Sequence, residues 1–306
     1  MTRTQLNTPV LFLVFNRLAT TQRVFEAIRE AQPRQLFVAS DGARADCDGE
    51  TEICAGVRQF VMDNVDWDCE VKTLFRKSNL GCRIAVSSAI DWFFDNVEEG
   101  IILEDDCLPN QDFFRFCAEM LEYYRDDERI MHISGANFQV GKKRGDGSYY
   151  FSQYAHIWGW ASWRRAWKYY DVDMGDFSQF KEQRLIKDVF VEKRVQKVWL
   201  DILEKIYTNS SIFNTWDFQW SYTLFCHNGI SIIPNKNLIS NIGFGSGTNT
   251  ANIESSCAEQ ELEDLTEIIH PESLIIDELA DKFVFNKMYK STFFDRLIAK
   301  LKRLCK

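Results

Sequence analysis

An α/β fold, with a mostly parallel sheet flanked by helices, is what this sequence predicts, and three observations carry the prediction. Short runs that are apolar on both faces recur through the first 135 residues. Each is followed by a polar turn and then by apolar residues at helical spacing. The chain of 306 residues, 45% of them hydrophobic, is also long enough to fill a sizeable core. Strands buried on both faces and joined through crossover helices pair in parallel.

The elements follow in order. Residues 10–15 (VLFLVF) read as a short buried strand, and Thr20 or Thr21 can cap a helix running to about Ala31. Residues 36–39 form the second strand, followed by the turn Ser40-Asp41-Gly42, a long helix toward Asn64 and a third strand over 71–75. Gly81 breaks the chain, and residues 84–94 carry apolar side chains at helical spacing. Gly100 stops the approach to a fourth strand, 100–103 (GIIL), which ends abruptly in Glu104-Asp105-Asp106. Pro109 and Asn110 open another helix with Asp112 in its first turn, and 130–134 is a further strand. Residues 141–149 are rich in Gly, Lys and Asp and read as a loop. Beyond it stand Trp158, Trp160, Trp163 and Trp167, the last three spaced by three and four as one helix stripe. The expected organisation is a first half over 1–140, a second over 141–280 and a separate tail over 281–306.

Composition narrows the function. With 45 acidic and 36 basic side chains the net charge is −9, so a nucleic-acid partner is not expected. The opening residues lack an apolar secretory core, and no stretch supplies the roughly 18 apolar residues of a membrane span. The 9 cysteines are odd in number and form no C-x-x-C pair, which suits reduced thiols and a cytoplasmic protein. Only 4 histidines occur, none paired at helical metal-ligand spacing. The tail differs from the rest: it is basic, with Phe283, Phe285, Phe293, Phe294, Leu297 and Ile298 interleaved. It suits an anionic membrane surface, which would make the protein peripheral on a membrane's inner face, and equally a helix docked on the domain.

Ligands of open α/β sheets bind at the carboxyl ends of the strands, where Asn16, Arg17, Asp41, Arg83 and Glu104-Asp105-Asp106 all fall. Carboxylates after a buried strand suit a hard cation, Mn²⁺ or Mg²⁺, bridging the phosphates of a nucleotide. A cation or Arg aimed at a departing diphosphate stabilises the charge that grows there. Glu104-Asp105-Asp106 can equally be a solvated acidic turn, and a lone Arg is more often an ion-paired surface charge.

These motifs resemble GT-A type glycosyltransferases of the N-acetylglucosaminyltransferase I kind, and bacterial nucleotide-diphospho-sugar transferases are closer still. The resemblance lies in 9–17 (PVLFLVFNR), 38–42 (VASDG), 81–94 and above all 101–114 (IILEDDCLPNQDFF). It implies a GT-A, Rossmann-like fold with a nucleotide-sugar half over 1–140 and an aromatic-rich acceptor half over 141–280. By the same resemblance Asp106 ligates the metal, Asp105 binds the ribose, Asp41 contacts the uracil and Arg17 belongs to the donor site. Gly159-Trp160 is similar to a G-W of the acceptor region, and 216–220 (WDFQW) looks like a W-D-x-W segment whose Asp is the base. Asp217 then takes the proton of the attacking hydroxyl, and inversion is implied. Alternatively Asp217 caps a helix over 219–226. Trp160 and Trp216 are the acceptor-binding candidates, although packing suits most of the tryptophans.

The expected activity is transfer of a sugar, GlcNAc by resemblance, from a UDP-sugar to a glycan or lipid-linked glycan. Two rivals stand beside it. A sugar nucleotidyltransferase would need a Gly-rich, basic loop where Phe15-Asn16-Arg17-Leu18 stands. A non-catalytic glycan-binding module would need neither Asp106 nor Asp217. The loop over 241–250 (NIGFGSGTNT), with three glycines, suits closure over a bound nucleotide.

Overall fold

The computed structural model describes residues 5–209, 212–244 and 259–288. In chain order the first half contains β1 (Val10–Val14), α1 (Leu18–Ala31), β2 (Gln35–Ser40), α2 (Glu50–Asp63), β3 (Glu70–Phe75), α3 (Gly81–Asn96), β4 (Glu99–Glu104), β5 (Cys107–Pro109), α4 (Gln111–Tyr123) and β6 (Ile130–Ser134). There follow β7 (Tyr149–Ser152), β8 (Trp160–Trp163), α5 (Arg164–Trp167), α6 (Phe177–Glu182), α7 (Ile186–Val189), α8 (Lys193–Thr208), α9 (Asp217–Cys226), β9 (Ile230–Pro234), β10 (Ile239–Asn241) and α10 (Glu278–Met288).

Eight strands form one sheet in the order β3-β2-β1-β4-β8-β6-β9-β7. The block β3-β2-β1-β4 is parallel throughout, as is the β6–β9 pair, while β8 and β7 run antiparallel to their neighbours. This is the α/β architecture that the sequence predicts, with a Rossmann-like parallel block at one end. Alternation sorts the strand side chains: Val10, Phe12, Val14, Leu36, Val38, Ile101 and Leu103 enter one apolar cluster. Leu11, Leu13, Phe37, Ala39 and Ile102 enter the other. Val24 and Ile28 of α1, Val57 and Val61 of α2 and Phe113 of α4 cover the first face. Ala89, Ile90 and Phe93 of α3 cover the second. Burying each such side chain contributes roughly 1.5–3 kcal/mol, so the parallel block is held from both sides.

Three local expectations are corrected. Thr20 and Thr21 lie inside α1, where their hydroxyls donate back to the Arg17 carbonyl; Arg17 itself stands at the cap position and makes no side-chain cap. Gly81 opens α3 instead of interrupting the chain before it, at φ +76°. Trp160 and Trp163 belong to strand β8, and only Trp167 is helical. A separation of three places strand residues on opposite faces, so Trp160 enters one apolar cluster and Trp163 the other. Asn110 does cap α4, its Oδ1 accepting from the Phe113 amide at 3.0 Å, with Asp112 in the first turn.

Among the described residues no helix is long and apolar enough to cross a membrane. Cys47, Cys54, Cys69, Cys82, Cys107, Cys117 and Cys226 are free thiols. Most of the expected tail lies outside the described residues; its described beginning is the end of α10, where Lys282 pairs with Glu192 at 2.6 Å.

Candidate active site

The strand order reverses direction between β1 and β4: β2 and β3 follow β1 on one side, and the chain returns to place β4 on the other. A crevice outside the carboxyl ends of the strands opens at such a switch point. Arg17 enters it from the end of β1 and Glu104-Asp105-Asp106 from the end of β4. Arg17 Nη1 donates to Asp106 Oδ2 at 2.8 Å while Nη2 pairs with Asp105, a forked grip on two consecutive carboxylates. Burial opposes the charge on Arg17, but the fields of Asp105 and Asp106 outweigh it and hold the guanidinium protonated. Burial pushes Asp105 up to about 7, with Arg17 pulling the other way. It pushes Glu104 up to about 8, and the charges of Asp106 and Asp105 add to the rise. Asp105 Oδ2 is buried with no hydrogen-bond partner among the described residues.

The strand pair β5–β10 closes this edge. Asn241 lies opposite Cys107, and the Ile242 amide donates to the Asp106 carbonyl at 2.8 Å. Gly243 then passes against the acids: a Cβ there would collide with Asp106 Oδ2 and lie 2.7 Å from Arg17 Nη1. Only a residue without a side chain allows that approach. Phe244 packs edge-on against Trp158, with ring centroids 5.6 Å apart. Residues 245–250 of the expected closing loop lie outside the described residues.

Asp217 comes from the other half of the chain. It is the first residue of α9, half-buried, with its carboxylate accepting a hydrogen bond from the Thr215 hydroxyl. Burial raises its pKa, against the opposing hydrogen bonds from Thr215 and from the backbone at the helix start. The alternative reading, Asp217 as the cap of a helix over 219–226, is corrected: the cap position belongs to Trp216 and Asp217 is the first helical residue. The thiol of Cys82, on the first turn of α3, locates the group: burial raises its pKa first, and Glu104, Asp217, Asp106 and Asp41 each add to the rise. Asp217 also adds to the charge around Glu104. Acids that arrive from β2, β4 and α9 therefore act through their charge on one side chain.

The remaining candidates have defined partners. Asp41 accepts from the amides of Gly42 at 2.9 Å, Leu80 at 3.0 Å and Gly81 at 3.0 Å, fixing the start of α3 against the end of β2. Asn16 donates to Glu50 Oε1 at 2.7 Å, and Glu50, held down to about 2 chiefly by its bonds with Arg44, ties the first turn of α2 to the crevice. Arg83 reaches Asp173 at 2.6 Å and the Val172 carbonyl at 2.7 Å. Trp160 and Trp216 are 1% and 2% exposed and present no open face to a ligand. They stack on each other at 5.7 Å and 22°, and Trp160 also stacks on His132 at 5.2 Å. Tyr170 donates to the Trp216 carbonyl at 3.1 Å. This aromatic block is the floor on which Asp217 rests.

Sequence reasoning did not single out Cys82 or Thr215 as part of the site, and it reached Gly243 and Phe244 only as members of the loop over 241–250. Thr215, two residues before Asp217, carried a usable signal, since a hydroxyl so close can reach that carboxylate. Cys82 carried none, and the approach of Gly243 to the acids is set by the pairing of β10 with β5, which no local pattern shows.

A scan against protein-family models finds no match, and a search of curated proteins finds none. Among solved structures, partial similarity extends to the mannosyltransferase PcManGT from Pyrobaculum calidifontis in complex with GDP-Man and Mn²⁺ (TM-score 0.39, 17% identity, 55% of this chain and 49% of that one). It extends also to a cytidylyltransferase from Leptospira borgpetersenii (TM-score 0.34, 11% identity, 53% and 63%). A third is TarS 1-349 of S. aureus (TM-score 0.39, 8% identity, 76% and 59%). The chain thus spans about half the length of the mannosyltransferase that it matches.

Proposed function

We propose that this protein is an inverting, metal-dependent glycosyltransferase of the GT-A kind, which moves a sugar from a UDP-sugar to a hydroxyl of a glycan or lipid-linked glycan. One observation carries the reading: Arg17, following β1, forks onto Asp105 and Asp106, following β4, so a fixed cation and two consecutive carboxylates stand together at the switch point of the sheet. Residues 1–140 supply the donor side of that crevice and residues 141–280 the acceptor side.

The acids fit a hard cation in its sparsest protein form. No group of three or more Asp, Glu, His or Cys side chains converges into a cage among the described residues. Asp106 Oδ1, however, meets among the described residues only the weak Cys107 thiol donor at 3.5 Å. Mg²⁺ and similar ions are commonly held by one or two carboxylates, with substrate phosphates and water completing the shell. Asp106 would hold such an ion, Mn²⁺ or Mg²⁺, and when bound the ion would neutralise charge on the departing diphosphate. Arg17 keeps its fork on the far oxygen and adds a fixed positive charge to the same edge. Asp105, gripped by Arg17 on the same edge, is the residue that the sequence resemblance assigns to the ribose. Asp41 and Asn16 shape the base end of the crevice, where Asp41 meets the uracil.

Asp217 acts as the base. A carboxylate raised by burial takes a proton from the acceptor hydroxyl more readily than one in water, and the Thr215 hydroxyl fixes its orientation. Trp160 and Trp216 serve this step by bracing the start of α9. GlcNAc as the sugar, a cytoplasmic site of action and attachment of the basic tail to an anionic membrane belong to the same reading, on the strength of the sequence.

The deciding experiment measures UDP binding and UDP-sugar hydrolysis with and without Mn²⁺ for wild type, Asp106→Ala and Asp217→Ala. UDP binding that requires metal and Asp106, with Asp217→Ala binding normally but turning over 10²–10⁴-fold more slowly, is the expected result. A wild type that binds no nucleotide in the presence of metal rejects the reading and leaves the glycan-binding alternative.

A further inference from the structure

We infer that Arg17 is a selectivity residue for the ion: by gripping Asp105 and Asp106 it opposes a free divalent cation there and favours the same cation carried by a nucleotide diphosphate. The inference rests on the metal-dependent reading above. It adds to that reading which form of the ligand the edge accepts, the metal–nucleotide complex and not the free ion.

The fork stands where a free ion would have to bind. Asp106 Oδ2 accepts from Arg17 Nη1 at 2.8 Å and Asp105 Oδ1 is paired with Nη2, so one oxygen of each carboxylate is committed. A cation on Asp106 Oδ1 then shares its carboxylate with a guanidinium, and like charges so close repel, the more strongly where water is scarce. The same guanidinium neutralises part of the charge that a bare pair of carboxylates would offer to an ion.

The fork is also held in place from both sides. The side chains of Arg17, Asp105 and Asp106 are 17%, 4% and 11% exposed, so this is not a loose surface ion pair. The Arg17 carbonyl accepts from the Thr21 amide at 3.0 Å and from the Thr21 hydroxyl at 2.7 Å, which pins its backbone to the start of α1. Across the crevice the Ile242 amide pins the Asp106 carbonyl at 2.8 Å. Gly243 follows so closely that a Cβ there would meet both Asp106 Oδ2 and Arg17 Nη1.

A nucleotide diphosphate reverses the balance. Its phosphates bring negative charge that the guanidinium attracts, and they supply oxygen ligands that the protein lacks. The residue that repels the ion alone thereby draws in the group that carries it. A purely structural ion pair would do neither.

Titration of the full chain with Mn²⁺, followed through the electron paramagnetic resonance signal of the free ion, tests this with UDP as the nucleotide probe. The variants are Arg17→Met, which removes charge and fork, and Arg17→Lys, which keeps the charge but releases one of the two acids. Wild type should bind Mn²⁺ about tenfold or more tightly with UDP than without it. Arg17→Met should bind Mn²⁺ alone about tenfold more tightly than wild type and lose most of the enhancement by UDP. Circular dichroism reports whether that variant folds; if it does not, Arg17→Lys decides the matter, with an expected gain of about threefold for Mn²⁺ alone. Affinity for Mn²⁺ alone that is unchanged or lower in the folded variant would overturn the assignment and leave the fork structural. A gain that persists when Asp106→Ala is added would place the ion elsewhere and overturn it too. A wild type that binds no Mn²⁺ even with UDP would instead reject the metal-dependent reading itself, and this inference with it.

Discussion

Arg17 carries two carboxylates at once, and its side chain is 17% exposed against 4% for that of Asp105. Removing one member of a pair this deeply set leaves a charge with neither water nor partner. Arg17→Met should therefore lower unfolding free energy by about 3 kcal/mol in urea titrations at neutral pH. Arg17→Lys should recover part of that loss, since it restores the charge but not the fork that reaches two acids. Gly243 makes the same edge sensitive to a single methyl group. Gly243→Ala should weaken UDP binding by tenfold or more in calorimetric titration, because the new Cβ displaces Asp106 and Arg17 together. Normal UDP affinity in that variant would mean that the contact of Gly243 with the acids has no part in the donor site.

Between elements, the packing of β6, β8 and α9 fixes where Asp217 stands. Gly159, just before β8, has φ +61°, and a Cβ there would lie 2.7 Å from Ile239 Cγ1 of β10. Gly159→Ala should cost about 2 kcal/mol, read as a lowered melting temperature, from backbone conformation and collision together. His132 joins β6 to α9: its Nδ1 accepts from Trp220 Nε1 at 3.2 Å, so its Nε2 donates to the His156 carbonyl at 3.2 Å. Burial lowers its pKa to about 3 from an ordinary 6.5. The folded protein then binds fewer protons than the unfolded chain below pH 6.5, so this stability is complete above 6.5 and is lost as pH falls toward 3. His132→Gln should reduce the stability lost between pH 7 and pH 5 by about 2 kcal/mol, measured by denaturant titration at both pH values. The same elements show what was legible in the sequence. The strands β1, β2 and β4 were readable because each is a short run apolar on both faces, and the helices between them because apolar residues recur there at helical spacing. The tryptophan spacing of three and four suited a helix equally well, and only the pairing of β8 between β4 and β6 makes Trp160 and Trp163 strand residues. That pairing joins segments about 60 and 30 residues away, beyond any periodicity. Asp41, Arg17 and the acids after β4 were legible for a related reason: each directly follows a readable strand.

At the scale of the molecule, one sheet joins an edge that presents Arg17 and Asp106 to an aromatic block that presents Asp217. A ligand that binds only this assembled arrangement stabilises the whole fold by mass action. At one hundred times its dissociation constant the gain is about 2.7 kcal/mol. For a chain of this size each kcal/mol raises the melting temperature by roughly 2 °C, so saturating UDP with Mn²⁺ should raise it by about 5 °C. If Asp106 and the nucleotide share one ion, UDP or Mn²⁺ alone should give much less than half of that shift. The synergy should vanish in Asp106→Ala and persist in Asp217→Ala, because the proposed base would touch the acceptor and not the diphosphate. Equal shifts with UDP alone and with UDP plus Mn²⁺ would show that the Arg17 fork suffices to hold the diphosphate without an ion, and would remove the metal from the mechanism while leaving Asp217 in place.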